Sequence, residues 1–213
     1  CYHTLALRFA QDYEPGTAAS TKGLPLMTEP DPNAKPSRST LAETYKLIKD
    51  DIAAARANLK TAGAANSIYF TVDVIDALEA RVDLYMHNYT SAVNLAKGLI
   101  ANYPLDTDAE ALTSMWLNDE SSEIIYRTFQ SVDERSNATG IYLSYSTATE
   151  SFSPDFVPSQ WVLDLYEEGD IRKDVFYRKD KITCLEVVTE DVYMLNKYPG
   201  NPALKKSTYE YYH

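Results

Sequence analysis

Four residues in the stretch 131–157 carry the most pointed chemistry in the chain. Tyr142 and Tyr145 offer flat apolar rings with hydroxyl tips, and Arg135 and Asn137, just before them, offer planar hydrogen-bonding groups. Aromatic faces stack on the CH faces of sugar rings, and planar donors and acceptors satisfy sugar hydroxyls. These four form the candidate ligand-binding patch. The stretch has few periodic signals but several aromatics, Phe152 and Phe156 included, and a loop of that kind is more often functional than idle. The competing reading is that the tyrosines only pin the loop to the body of the protein. Trp116 and Trp161 read as core residues instead, each on the apolar face of a short helix beside Leu112 and Leu165 respectively.

Catalytic chemistry finds little support in the residue pattern. The three histidines, His3, His87 and His213, stand at no metal-ligand spacing with another His, Cys or carboxylate, so neither a metal nor a cofactor is expected. Cys184 has no neighbour in sequence that would activate its thiol, and no serine sits in a nucleophile elbow. Among 31 acidic side chains a chance carboxylate pair is expected, so a glycosidase pair cannot be singled out. "DLYEEGDIRKDV" places Gly169 at the sixth position of a calcium loop that starts at Asp164. Tyr166 then replaces a ligand and Val175 replaces the closing Glu, so that loop is rejected.

The totals narrow the class of partner. A chain of 213 residues with 45% hydrophobic content can bury a real core. Its formal charge of -11, with no concentrated Lys or Arg stripe, argues against nucleic acid and against a basic membrane-surface helix. The surplus of Tyr, 17 against 6 Phe and 2 Trp, suits half-wet surfaces. Two cysteines are too few for a disulfide framework, and no apolar run approaches a bilayer span.

The elements that must position the patch are mainly helical. Tyr2, Leu5 and Phe9 lie at helical spacing in a helix that reads as cut into rather than begun. Residues 14–39 contain five prolines and form a loop, with Leu24, Leu26 and Met27 to bury. Thr40 and Glu43 make a capping box for a helix of about five turns carrying Leu41, Tyr45, Ile48, Ile52, Ala55 and Leu59. Thr71 caps the next helix, with Ile75, Leu78, Val82 and Tyr85 on its apolar face. After the turn at "HNY" a second stripe of Tyr89, Ala92, Val93, Ala96, Leu99 and Ile100 runs to Pro104, completing a helical hairpin. Ala80, Tyr89, Ala92 and Pro104 fit the tetratricopeptide pattern, and Asp76 departs from it where a large residue belongs. Beyond Leu105 the character changes. A short helix with Leu112 and Trp116 comes first, then strand candidates at 123–129 and within 171–198, and between these a helix opened by Pro158 and stopped by Gly169.

The order of "GLPLMTEP", "RSTLAETYKLIKDDIAAARANL", "ALEARVDLYMHNYTSAVNLAKGLIANYPL", "SEIIYRTF" and "VPSQWVLDLYEEGDIRKDVFY" resembles the SusD/RagB family of Bacteroidetes outer-membrane lipoproteins. The run from "QWVLDLYE" toward "LNKYP" is most similar to the RagB-like branch. The resemblance implies a mainly α fold of tetratricopeptide-like helix pairs with an irregular loop and short-strand region. Residues 1–105 would be the helical scaffold portion and 106–213 the irregular region of the same domain. It further implies a non-catalytic glycan-binding protein at the cell surface of the outer membrane. Such a protein is anchored by an N-terminal lipid in its full length and delivers ligand to a SusC-like TonB-dependent transporter. The chain is expected to be a central piece of such a protein, and Cys1 a buried or incidental thiol rather than the lipid-bearing residue. RagB-type peptide uptake, using strand edges at 123–129 or 171–195, and a helical-repeat interaction scaffold are the alternatives.

Overall fold

The computed structural model describes residues 1–118, 121–128 and 138–197. Arg135, Asn137 and the tail from 198 onward lie outside the described residues. The chain divides into two compact units, Cys1–Tyr103 and Pro104–His213. Among the described residues there are eight helices and six short strands, and the fold is mainly α as expected.

The first unit holds α1 (Tyr2–Phe9), a hairpin of β1 (Lys22–Pro25) and β2 (Arg38–Thr40), and then α2 (Leu41–Asn58), α3 (Val72–Tyr85) and α4 (Tyr89–Asn102). The proline-rich connection is ordered because its backbone is tied down. Arg38 donates to the carbonyls of Gly23 at 2.7 Å, Lys22 at 3.1 Å and Phe9 at 3.3 Å, and Tyr2 Oη accepts from the Met27 amide at 2.7 Å. Leu24 alone of its three expected anchors is fully buried, and Met27 is exposed. The capping box forms as written: Thr40 Oγ1 accepts the Glu43 amide at 3.1 Å, and the Glu43 carboxylate accepts the Thr40 amide at 2.8 Å.

Leu41, Tyr45, Ile48 and Ile52 of α2 meet Ala6, Ala18, Leu24, Ile75 and Val82 in one apolar core. The helix faces differ from the expected stripes in two places. In α1 the buried residues are His3 and Ala6, while Leu5 and Phe9 face outward. In α4 only Ala92 and Leu99 are buried, and Tyr89, Val93 and Ile100 are exposed. Asp76, where a repeat would place a large residue, instead pairs with Arg56 of α2.

The second unit contains α5 (Ala109–Asn118), α6 (Ala138–Tyr142), β3 (Tyr145–Ser146), β4 (Ser151–Phe152), α7 (Gln160–Leu163), α8 (Ile171–Phe176), β5 (Tyr177–Cys184) and β6 (Val187–Leu195). The sheet runs β3-β4-β5-β6, antiparallel except where Phe152 of β4 pairs in parallel with Ile182 of β5. Residues 121–128 form turns with a single bridge residue, so the described part of the strand expected at 123–129 is not a strand. Residues 171–176 are helical because Asp170 accepts the Arg172 amide at 3.0 Å and so caps α8. The helix after Pro158 is one turn long and ends at Leu163, and Gly169, at φ 86°, sits in the following turn. Cys1 and Cys184 are free and exposed, so of the two expectations for Cys1, a buried or an incidental thiol, the buried one does not hold.

The β5–β6 hairpin turns on Leu185 and Glu186 at φ 47° and 67°, both left-handed. L-residues there cost roughly 1–2 kcal/mol each, and Asn-Gly is the favoured pair. Replacing Leu185-Glu186 by Asn-Gly is expected to raise stability by about 1–2 kcal/mol. Urea unfolding followed by tryptophan fluorescence checks this, because both tryptophans lie in the second unit; an unchanged midpoint would contradict it.

Candidate functional site

Within the described part of the aromatic stretch, residues 141–155 form a hairpin. Tyr145 pairs with Phe152 and Ser146 with Ser151. The Ser153 amide donates to the Ser144 carbonyl at 2.7 Å, and the Asp155 amide donates to the Ile141 carbonyl at 2.8 Å. Backbone bonds therefore hold residues 141–155 together from end to end. They bring Phe156, next in sequence, back toward the end of α6 that carries Tyr142.

Phe152 is the hub beneath this hairpin. It is 1% exposed and packs with Leu143, Ile182 and Met194. The Tyr145 ring meets it edge-on at 4.8 Å, and the Arg178 guanidinium sits 4.9 Å from its ring centroid. The buried Ser151 hydroxyl joins Thr149 Oγ1 at 2.7 Å and Thr183 Oγ1 at 2.6 Å, which fixes β4 against β5. Tyr142 and Tyr145 are half-buried over this cluster. Each gives part of its ring to the core and keeps part at the surface.

Trp161, read as a core residue from sequence, is instead a flat face at the surface, and Phe156 of the aromatic stretch is another. Trp161 is 67% exposed and Phe156 is 68% exposed. The periodic argument for burying Trp161 needed several turns of helix, and α7 has four residues. Trp116, expected in the core, is half-buried, edge-on to Phe176 at 5.9 Å. The Lys197 ammonium lies 4.4 Å from its ring centroid, and burial pushes that amine down from its ordinary value.

Next to α7 a polar cleft of about 640 Å³ is lined by Leu165, Glu167, Glu168, Asp170 and Arg172. Hydrogen bonds from Arg172, at 2.9 Å from Nε and 2.5 Å from Nη2, hold the Asp170 carboxyl down at about 2. That carboxylate stays ionised at any ordinary pH. Among the described residues no group of three or more His, Cys, Asp or Glu is placed to hold a metal ion, and no helix is long and apolar enough to cross a membrane.

The fold has counterparts among solved structures. A SusD superfamily protein from Bacteroides vulgatus is 21% identical, matches 96% of this chain and 46% of its own, and superposes with a TM-score of 0.67. The fold is SusD-like. A SusD superfamily protein from Bacteroides thetaiotaomicron is 26% identical over 61% of this chain and 28% of its own, with a TM-score of 0.51. A surface glycan-binding protein A from Bacteroides fluxus is 17% identical over 86% of this chain and 44% of its own, with a TM-score of 0.58. The SusD-like chain spans less than half the length of each of these three. No protein-family profile and no curated protein sequence matches it.

Proposed function

We propose that this SusD-like chain belongs to a non-catalytic, surface-exposed protein of the outer membrane that binds extracellular oligo- or polysaccharides. In this reading the longer protein is lipid-anchored and passes its ligand to a SusC-like TonB-dependent transporter. The helices up to residue 105 act as scaffold and the irregular region beyond presents the ligand. The observation that carries the proposal is the rigid aromatic hairpin, with Tyr142 and Tyr145 seated on the Phe152 core and Phe156 exposed beside it. Trp161 adds a further flat face in the same unit. A ligand platform of this kind loses little entropy on binding, because its rings are already held. Arg135 and Asn137 would supply hydrogen bonds to hydroxyls at the start of the same stretch. A protein named as a surface glycan-binding protein shares the fold, which supports the same reading.

One observation favours peptide uptake as a second reading. Among the described residues β6 is the last strand of its sheet, with Val187 and Val188 exposed, and an exposed strand edge can pair with an extended peptide.

Electrophoresis through gels containing neutral polysaccharides tests the first reading. Retardation of the wild type should fall severalfold in a Tyr142→Ala, Tyr145→Ala double variant and also in Trp161→Ala. Equal retardation of all three proteins would remove the aromatic site.

A further inference from the structure

The first unit has a pocket that the reading above leaves unused. It occupies about 350 Å³ where the segment after α1 meets the turn between α3 and α4. That is the lower end of the roughly 300–1,000 Å³ range of small-ligand sites. Its wall is aromatic, built by Tyr13, Tyr45, Tyr85, His87 and Tyr89, and its rim is polar, with Gln11, Asp12 and Glu14.

The aromatic side chains are arranged in two tiers. Tyr45 is buried at the floor, with Tyr13 edge-on to it at 4.8 Å. Tyr85 is 45% exposed and Tyr89 is 56% exposed, so both present ring surface to solvent. Tyr85 is braced edge-on by His3 at 5.3 Å. Tyr89 is stacked by His87, at 5.7 Å and 19° between planes, and still keeps more than half of its surface exposed.

His87 reaches this position through an unusual backbone. Its φ of 61° is left-handed, and the Met86 to Asn88 turn is held by hydrogen bonds from the Met86 amide to Val82, from the His87 amide to Leu84 and from the Asn88 amide to Asp83. A histidine in that conformation costs energy that glycine would not, and such residues cluster at ligand clamps. Here the conformation sets the imidazole against Tyr89 on one side and, through Nδ1, 3.7 Å from the Glu14 carboxylate on the other.

We infer that this pocket is a second saccharide site, taking one or two neutral pyranose rings. The CH face of a sugar stacks on the exposed ring surface of Tyr89 and Tyr85. Its hydroxyls donate to the carboxylates of Asp12 and Glu14 and bond with the Gln11 amide, which can both donate and accept. The two carboxylates disfavour acidic sugars by like-charge repulsion. This site lies wholly in the unit that carries no part of the Tyr142 and Tyr145 patch and does not depend on it.

Calorimetric titration with neutral gluco-, manno- and galacto-configured trisaccharides tests the inference. It is run on the wild type, on Tyr142→Ala, Tyr145→Ala, and on that double variant with Tyr89→Ala or Glu14→Gln added. Tyr89 and Glu14 are exposed, so neither change threatens the fold. The double variant should keep saturable binding, and adding Tyr89→Ala or Glu14→Gln should weaken what remains by about tenfold or more. If the double variant binds nothing, or if its residual binding ignores Tyr89 and Glu14, the second site is overturned while the first survives. If the double variant binds as the wild type does and only the Tyr89 change matters, the second site stands and the first is lost. Absence of binding in the wild type overturns both.

Discussion

Lys49→Met is expected to destabilise the protein by about 3 kcal/mol, because it strands a buried carboxylate. Asp83 is 0% exposed on α3, and its carboxylate accepts from Lys49 Nζ of α2 at 2.8 Å and from Ser91 Oγ of α4 at 2.6 Å. One acid thus joins three helices. Lys49 also donates to Glu79 at 2.5 Å, and Arg56 reaches Glu79 at 2.5 Å and pairs with Asp76. Methionine keeps most of the packing of the lysine stem but removes the ammonium, leaving Asp83 only a hydroxyl partner. Breaking a buried pair from one side costs about 3–5 kcal/mol, and partial exposure of Lys49 places this case at the lower end. Lys46→Met is the control. Its partner Asp50 is 2.5 Å away, but both side chains are mostly exposed, and a cost of about 0.5 kcal/mol is expected.

The same cluster sets a pH dependence. Burial pushes the Glu79 carboxyl up, but the hydrogen bonds from Lys49 and Arg56 together outweigh it and hold the group below its ordinary 4.5. The stabilisation from Glu79 is therefore complete above pH 4.5 and is lost as pH falls through the lower folded value. Lys49→Met should flatten that acid limb. Urea unfolding by far-ultraviolet circular dichroism at neutral and acid pH reads both effects. Equal costs for Lys46→Met and Lys49→Met would contradict the network.

Phe152→Ala is expected to cost about 3–5 kcal/mol, the second large effect. The ring is 1% exposed and supports Leu143, Ile182, Met194, Tyr145 and Arg178 together. Its removal opens a cavity directly beneath Tyr145, so ligand binding should weaken even where the protein still folds. Trp161→Ala, at an exposed position, should cost within about 0.5 kcal/mol while still weakening binding. Tryptophan fluorescence through Trp116 separates the two variants in a denaturant titration. A Phe152→Ala protein as stable as Trp161→Ala would show that the hairpin does not rest on this core.

What could be read from sequence was what short-range chemistry determines. The α2 helix was legible because its cap, its length and its stripe from Leu41 to Ile52 all agree. The α3–α4 hairpin was legible from the Thr71 cap, confirmed by the Val74 amide 3.3 Å from Thr71 Oγ1, and from the break at "HNY". Outward faces were harder. A stripe such as Tyr89, Val93 and Ile100 has the right period for burial, but period alone cannot say whether anything covers it. Trp161 failed for the opposite reason, since one turn of helix has no face to define.

Long-range pairing left no local mark. The parallel match of Phe152 with Ile182 joins segments 30 residues apart, and the β5–β6 turn uses Leu-Glu where a hairpin signal would be Asn-Gly. The same holds for Asp83, whose partner Lys49 lies 34 residues away. The pocket between Tyr13 and Tyr89 also needed the fold to bring its two walls together. Tyrosine abundance was a sound general clue to half-wet surfaces, but it gave no positions.

Glycan binding is the function proposed for this SusD-like chain. Calorimetric titration of the protein with neutral oligosaccharides, set against short unstructured peptides under the same conditions, tests it most directly. Saturable heat with oligosaccharides and none with peptides is the expected result; saturable heat with peptides alone would contradict the account.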